Sequence, residues 1–291
     1  MENLLRSIYE TFEGREETLG ILVLEKKKTN SPLTEQFDAL IIIIVKNDAN
    51  MDSPCNVEHY SIENNSIAVN IISENKFLKW LPSGNFRRNL LWVINGQIVF
   101  DRDGYLENLK NNLFENPIET RKKKIAMEFA ELIRSCSIGK ELYDGKQYLD
   151  AFNQMVQSLH HLARLSVLEH GFYPEITVWN QVKKIEPEVY ALYLELVESS
   201  ELIEKRVELL LLAIEFAISS RARIGSSYLI EIMKSKKDAW TISELVNEPK
   251  LKELAKDLGL LLQYLYAKNI VQIETKEIEG PGIYQMQYKV R

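Results

Sequence analysis

A single carboxylate, Asp38, stands at the head of the most β-branched run in the chain, Ala39-Leu40-Ile41-Ile42-Ile43-Ile44-Val45. A carboxylate at the end of a buried strand can offer hard oxygen to magnesium. It can equally serve as a strand-end acid that takes up backbone donors. Twelve positions earlier, Lys26-Lys27-Lys28 forms a run that could bind a phosphate by charge, or form a solvated loop. Arg87-Arg88 carries the same two readings. Arg164 and His170 bring a guanidinium and an imidazole into one segment, a pairing suited to acid–base work on a phosphodiester. His160, His161 and Trp179 read as packing or surface residues. Near the end, Lys252 and Lys256 are cations that could meet DNA phosphates, but Glu253 and Asp257 sit among them. Cys55 and Cys136 are far apart with no ligand pattern around them, which excludes a zinc finger or a disulfide framework and suits a reducing cytosol.

The composition bounds what these groups can serve. At 291 residues the chain suits two or three domains, and 45% hydrophobic with 27% charged residues is ordinary globular composition. A net charge of -6 argues against a general nucleic-acid coat. The opening Met1-Glu2-Asn3-Leu4-Leu5-Arg6 lacks the pattern of a signal peptide. The most apolar helical stretch, Val207 to Ile218, includes Glu208 and Glu215 and is too short to span a bilayer. A cytoplasmic protein without membrane partners is expected.

Residues 1–115 alternate helix and strand signals. Leu4, Leu5, Ile8, Tyr9 and Phe12 recur at helical spacing, and Thr18 to Leu24 reads as a strand. The β-branched run after Asp38 reads as a strand buried on both faces. Asn56 to Ser61 alternates weakly, Asn64-Asn65 marks a turn, and Ser66 to Ile72 is a further strand. Phe77 to Leu81 suggests a helix ending near Pro82-Ser83-Gly84. Leu90 to Ile94 and Gln97 to Phe100 are apolar runs about an Asn95-Gly96 turn, and Asp101-Arg102-Asp103-Gly104 is another turn. From Pro117 the pattern is helical: Ile118 to about Cys136, Lys146 to Glu169, Trp179 to Ile185, Pro187 to Val197 and Glu201 to Arg223. The remainder predicts a helix through Tyr228 and Met233, a second opened by a Thr241/Glu244 capping box, and a third from Leu251 to Lys268. Strands Ile270 to Thr275 and Tyr284 to Val290 flank Gly280-Pro281-Gly282, giving the order of a winged helix.

The strand–loop–Asp38 strand, the Ser66 strand with a helix after it, and the tail Trp92 to Gly104 ending in Asp-Arg-Asp-Gly resemble the nucleotidyltransferase superfamily, in its small aminoglycoside-nucleotidyltransferase-like branch. The resemblance covers residues 1–115. It implies a mixed sheet and transfer of a nucleoside monophosphate from a nucleoside triphosphate to a hydroxyl. It also implies a Gly-Ser phosphate loop and three carboxylates holding two metals, with Asp38 as the first. This chain departs from that pattern. Val23-Leu24-Glu25-Lys26 stands at the Gly-Ser position, Leu40 at the second carboxylate, and Asn70 is the likeliest polar residue on the third strand. The Arg164…His170 spacing resembles that of the HEPN ribonuclease family. Across its length the chain is similar to a bacterial family in which a nucleotidyltransferase-like domain, a helical substrate-binding-like domain and a helix-turn-helix follow one another.

The expected fold is therefore α+β: a nucleotidyltransferase-like domain at 1–116, an all-α bundle at 117–225 and a winged helix at 226–291. The expected function is to bind a nucleotide or phosphorylated ligand through a degraded metal site, in a binding or regulatory role. Asp38 is the candidate catalytic and metal residue, Lys26, Lys27, Lys28, Arg87 and Arg88 the candidate ligand contacts, and Lys252 and Lys256 the candidate DNA contacts. Magnesium would enter with a nucleotide. The alternatives are an active nucleotidyltransferase and a DNA-binding regulator. A protein or DNA partner at the winged helix and a homodimer are compatible with the sequence.

Overall fold

The β-branched run after Asp38 forms the central strand of a five-stranded sheet. A computed structural model describes residues 2–26, 32–47, 55–80, 87–114, 118–277 and 282–291. It divides into two units, residues 1–117 with 175–177, and residues 118–174 with 178–291.

In the first unit, helix α1 (Glu2–Glu13) precedes strands β1 (Thr18–Glu25), β2 (Ala39–Val45), β3 (Cys55–Ile62) and β4 (Asn65–Ser73). Helices α2 (Glu74–Trp80) and α3 (Arg87–Asn95), strand β5 (Gln97–Asp101) and helix α4 (Tyr105–Phe114) complete it. The sheet order is β3-β4-β2-β1-β5, with β2 and β4 parallel and the other pairs antiparallel. All seven residues of β2 are buried, as a strand covered on both faces requires. On one face, Ile41, Ile43 and Val45 pack with Leu5, Ile8, Tyr9 and Phe12 of α1. The alternate residues Leu40, Ile42 and Ile44 face the other way and are equally buried. On that side a Cβ on Gly20 would stand 2.4 Å from Leu106 Cδ1, so glycine there lets α4 close on β1.

The second unit holds α5 (Ile118–Asp144), α6 (Tyr148–Glu169), α7 (Val178–Ile185), α8 (Pro187–Glu198) and α9 (Ile203–Met233). Strand β6 (Trp240–Thr241), helices α10 (Ile242–Asn247) and α11 (Leu258–Ala267), and the hairpin β7 (Val271–Glu277) and β8 (Tyr284–Val290) follow. One apolar core runs through all of it, from Ile125 and Phe129 of α5 to Leu265 of α11 and Tyr288 of β8. Helix α6 ends at Gly171, whose φ of +87° is the left-handed terminus the sequence signalled. Thr241 and Glu244 form the full capping box.

Four expectations need correction. Leu90 to Ile94 is the body of α3 rather than half of a hairpin, and Asn95-Gly96 joins a helix to β5. A five-residue apolar run fits either period, and here it lies under the sheet, with Trp92 Nε1 donating to Leu33 O at 2.8 Å. The first bundle helix runs on past Cys136 to Asp144. The segments read as separate helices about Arg223 and Tyr228 are one 31-residue helix, because nothing between them breaks the backbone ladder. Finally, Leu251 to Lys268 is not one helix. A 3-10 turn at Pro249–Leu251 and a stretch of turns precede α11, so Lys252 and Lys256 lie ahead of the helix and not on it.

Candidate functional site

Asp38 sits one residue before β2, beside the start of β4. Its backbone N–H donates to Ser66 O at 2.8 Å. Its Oδ2 accepts from the Ser66 N–H at 2.9 Å and from the Ser66 hydroxyl at 2.8 Å. The Ser66 N–H, then the Ser66 hydroxyl, hold the carboxyl below the ordinary carboxylate range, with a smaller pull from Lys26. The group is thus an anion that staples two parallel strands together. Lys26, at the exit of β1, brings its Nζ to 4.0 Å from Oδ1 and keeps half its side chain exposed. Oδ1 is the carboxylate oxygen that Ser66 leaves uncovered.

Among the described residues the rest of an expected metal site does not assemble. Leu40 shares a sheet face with Asp38, is 4% exposed and pairs with Leu24 and Ala68 in the two neighbouring strands. Asn70 lies opposite Ile42, one pleat further along. Among the described residues no three His, Cys, Asp or Glu side chains converge as ligands would. Two magnesium ions need several hard anionic oxygens, so this set does not fit a two-metal centre. Lys27 and Lys28 lie outside the described residues. Arg87 and Arg88 open α3, and their side chains lie outside the description too.

The Asp-Arg-Asp-Gly tail does structural chemistry. Asp101 accepts from Leu106 N at 2.8 Å and Glu107 N at 3.0 Å, satisfying the first amides of α4. Asp103 and Gly104 take positive φ at 53° and 70°. Arg102 Nε donates to Thr18 O at 2.7 Å, tying the turn to β1. On the α1 face of the sheet lies an open cleft of about 590 Å³, bordered by Ser7 and Thr11 of α1, by Arg15 just beyond it, and by Asn56, Glu58 and Tyr60 of β3. No spacing in the sequence links these residues; only the pairing of β3 onto β4 brings them opposite α1.

In the second unit the Arg164…His170 pair comes apart. Arg164 Nε donates to the buried Glu128 Oε2 at 3.1 Å, and its Nη2 lies 3.0 Å from His161 Nδ1, which is 2.9 Å from the same carboxylate. His170 Nδ1 lies 2.9 Å from Ser166 O. Six helical residues separate the two side chains by roughly 120° around α6. A second ion cluster joins Arg221 of α9 to Glu169 at 3.1 Å and to Glu186, which also accepts from Ser166. Burial, only partly offset by Arg221, raises the Glu169 carboxyl. Both clusters neutralise carboxylates within a helical core. His161 and Arg164, three residues apart, hinted at a shared face; Glu128 and Arg221 gave no signal. His160 packs edge-on against Trp179, which stacks on Tyr193 at 4.2 Å.

Lys256 bonds Glu131 of α5, Lys123 of α5 bonds Glu253 at 2.6 Å, and Arg134 reaches the buried Asp257 at 3.2 Å. Lys252 is exposed. Helix α11 itself, LGLLLQYLYA, holds no charged residue.

A mixed five-stranded sheet opened by an acid-headed central strand, a helical bundle and a helix-turn-helix with a small antiparallel sheet define a nucleotidyltransferase-like protein. Residues 1–121 match the nucleotidyltransferase-like family model, residues 122–221 the YgxA-like substrate binding domain, and residues 227–290 a helix-turn-helix domain. The chain belongs to the family of protein YgxA from Bacillus subtilis (strain 168). The two are 41% identical over 291 residues, covering 100% of this chain and 98% of that protein. A crystal structure of a nucleotidyltransferase-like protein from Exiguobacterium sibiricum 255-15 is similar with a TM-score of 0.78 and 35% identity, over 100% of this chain and 99% of that one. Among the described residues no helix is long and apolar enough to cross a membrane.

Proposed function

We propose that this protein uses a nucleotidyltransferase fold to bind a nucleotide or phosphorylated ligand without transferring a nucleotidyl group, in a regulatory role inside the cytoplasm. We divide that role among parts at 1–116, 117–225 and 226–291. One observation carries the reading: Asp38 commits Oδ2 to Ser66, while the second carboxylate position is Leu40, packed into the sheet. The exposed Lys26 ammonium supplies charge for a phosphate, and Asp38 Oδ1 can meet one magnesium carried in by the nucleotide. Neither group activates an acceptor hydroxyl.

The test is pyrophosphate release from each of the four nucleoside triphosphates with magnesium, by the full chain and by Asp38→Ala. No release above buffer is expected from either. Release that Asp38→Ala abolishes would overturn the reading in favour of an active transferase.

For the winged helix, a protein contact is favoured over DNA reading. Helix α11 carries no charge and Lys256 is held by Glu131, so neither offers a free cation to phosphates. The wing exposes Ile283, Tyr284 and Met286 instead. Salt-dependent anisotropy with a labelled duplex is expected to show no binding at physiological salt. Binding with a steep salt slope, lost on Lys252→Ala, would restore the DNA-binding regulator.

A further inference from the structure

Helix α9 buries Val207, Leu210, Leu211, Ile214 and Ile218 in the bundle core. Its other side is apolar as well. Leu209, Leu212 and Phe216 follow at helical spacing, and Phe216 is 76% exposed; Leu202, one residue ahead of the helix, continues the stripe at 78%. Beside Leu209 the surface sinks into a depression of about 50 Å³, lined by Leu192, Leu196, Leu209 and Leu210, with Glu195 and Arg206 at its edge. A protruding ring on α9 and a recess in the groove between α8 and α9 thus lie close together on one surface of the bundle. Seven residues part Phe216 from Leu209, about 10 Å along the axis.

We infer that this face of α9 is the interface of a two-fold homodimer in which the α9 helices of two copies cross antiparallel, each Phe216 seating against the recess beside the other copy's Leu209. This goes beyond the ligand-binding reading and does not depend on it. A knob and a hole on the same surface are what a two-fold axis needs, since residue i meets residue j and j meets i. With Phe216 set against Leu209, the axis passes beside Leu212 and Ala213.

The charges along the stripe choose the direction. Lys205 and Arg223 are both exposed on this side of α9. Parallel helices would set Lys205 against Lys205 and Arg223 against Arg223. The antiparallel arrangement sets Lys205 opposite Ser220, and Arg223 opposite Leu202 beside the exposed Glu201. Lys205 is already paired with Glu208, so Arg223 sets the direction: its contact with another Arg223 is replaced by one with an opposite charge. The stripe is flanked by the ion pairs Lys205–Glu208 and Lys140–Glu215, whose cations are already neutralised and offer little to an anionic lipid surface, which suits a second protein copy.

The test is sedimentation velocity of the full chain from about 1 to about 100 µM, with Phe216→Glu and Leu212→Cys beside wild type. Phe216 is exposed, so Phe216→Glu is expected to keep the wild-type circular dichroism. Wild type is expected to sediment as a dimer, and Phe216→Glu to dissociate at least about tenfold more readily. Leu212→Cys, beside the axis, is expected to form an interchain disulfide under mild oxidation, whereas Leu149→Cys, exposed elsewhere, is not. A wild-type monomer throughout the range overturns the proposal, and so does a dimer indifferent to Phe216→Glu. A dimer in which Leu212→Cys fails to crosslink also overturns it, as does a monomer that binds phosphatidylglycerol vesicles through this face.

Discussion

Replacing Leu40 by aspartate supplies, in composition, the second carboxylate that the resemblance would place beside Asp38. The structure predicts collapse of the strand instead. Leu40 is 4% exposed, wedged between Leu24 and Ala68 on its neighbouring strands. Removing a leucine from such a site costs about 3–5 kcal/mol, the range of buried leucine truncations. The new carboxyl would be desolvated and would lie one pleat from the Asp38 anion. Both influences raise its pKa in the folded state above the ordinary value of about 4. The folded form then holds its proton while the unfolded form releases it. Leu40→Asp is therefore least harmful in acid. Its cost grows as pH rises through the unfolded pKa, by about 1.4 kcal/mol for each tenfold difference in proton affinity between the folded and unfolded forms. Leu40→Asn supplies the part that does not depend on pH. Amide hydrogen exchange of peptides covering β2, read at about pH 5 and pH 8 after correction for intrinsic rates, isolates this sheet from the helical unit. The expected acceleration is at least about two to three and a half orders of magnitude, larger for Leu40→Asp than for Leu40→Asn by a margin that widens from pH 5 to pH 8. Wild-type protection in Leu40→Asp at pH 8, or protection restored by millimolar magnesium, would show an open ligand position and no buried wedge.

Arg221→Met would leave Glu169 and Glu186 facing each other without their cation, a loss of about 3–5 kcal/mol in chemical denaturation. With the arginine gone both carboxyls have raised folded pKa values, so the loss should shrink below about pH 5; a pH-independent loss would contradict this. In α9, a Cβ on Gly225 would stand 2.2 Å from Phe129 Cγ, whose ring is fully buried. Gly225→Ala should lower stability by about 1–3 kcal/mol despite alanine's better helix propensity, and a raised melting temperature would refute the packing. Burial pushes the Cys136 thiol up to about 12, so at pH 8 it should stay unmodified by a thiol reagent in the native protein and react only after denaturation.

Several elements announce themselves locally. Seven consecutive apolar, mostly β-branched residues admit little except a buried central strand, and Asp101 to Gly104 and Thr241 to Glu244 carry their turn and cap in a few adjacent side chains. Leu90 to Ile94 reads as a strand in isolation because its helical state is fixed by the sheet it covers and by a hydrogen bond from Trp92 to a residue far away in sequence. The break before Leu258 is hidden for a similar reason: Asp257 is buried against Arg134 of α5. As for the site, the expectation that Leu40 stands where the resemblance would put a second carboxylate is read directly from the sequence. Ser66 as the donor that occupies Asp38 is not, since it depends on the parallel register of β2 and β4. The pairing of Lys256 with Glu131, and the cluster of Glu128, His161 and Arg164, likewise exist only once α5 is packed against its neighbours.

Binding of a nucleotide without turnover is the function we propose from Asp38, Ser66, Leu40 and Lys26. Calorimetric titration of the full chain with ATP, GTP, CTP and UTP, each with magnesium, puts both halves of that statement to the test. The expected result is a saturable isotherm for at least one nucleotide, weakened by Lys26→Ala, with the signal returning to baseline after every injection. No heat from any nucleotide would contradict binding, and a sustained heat of turnover that Asp38→Ala abolishes would contradict the absence of catalysis.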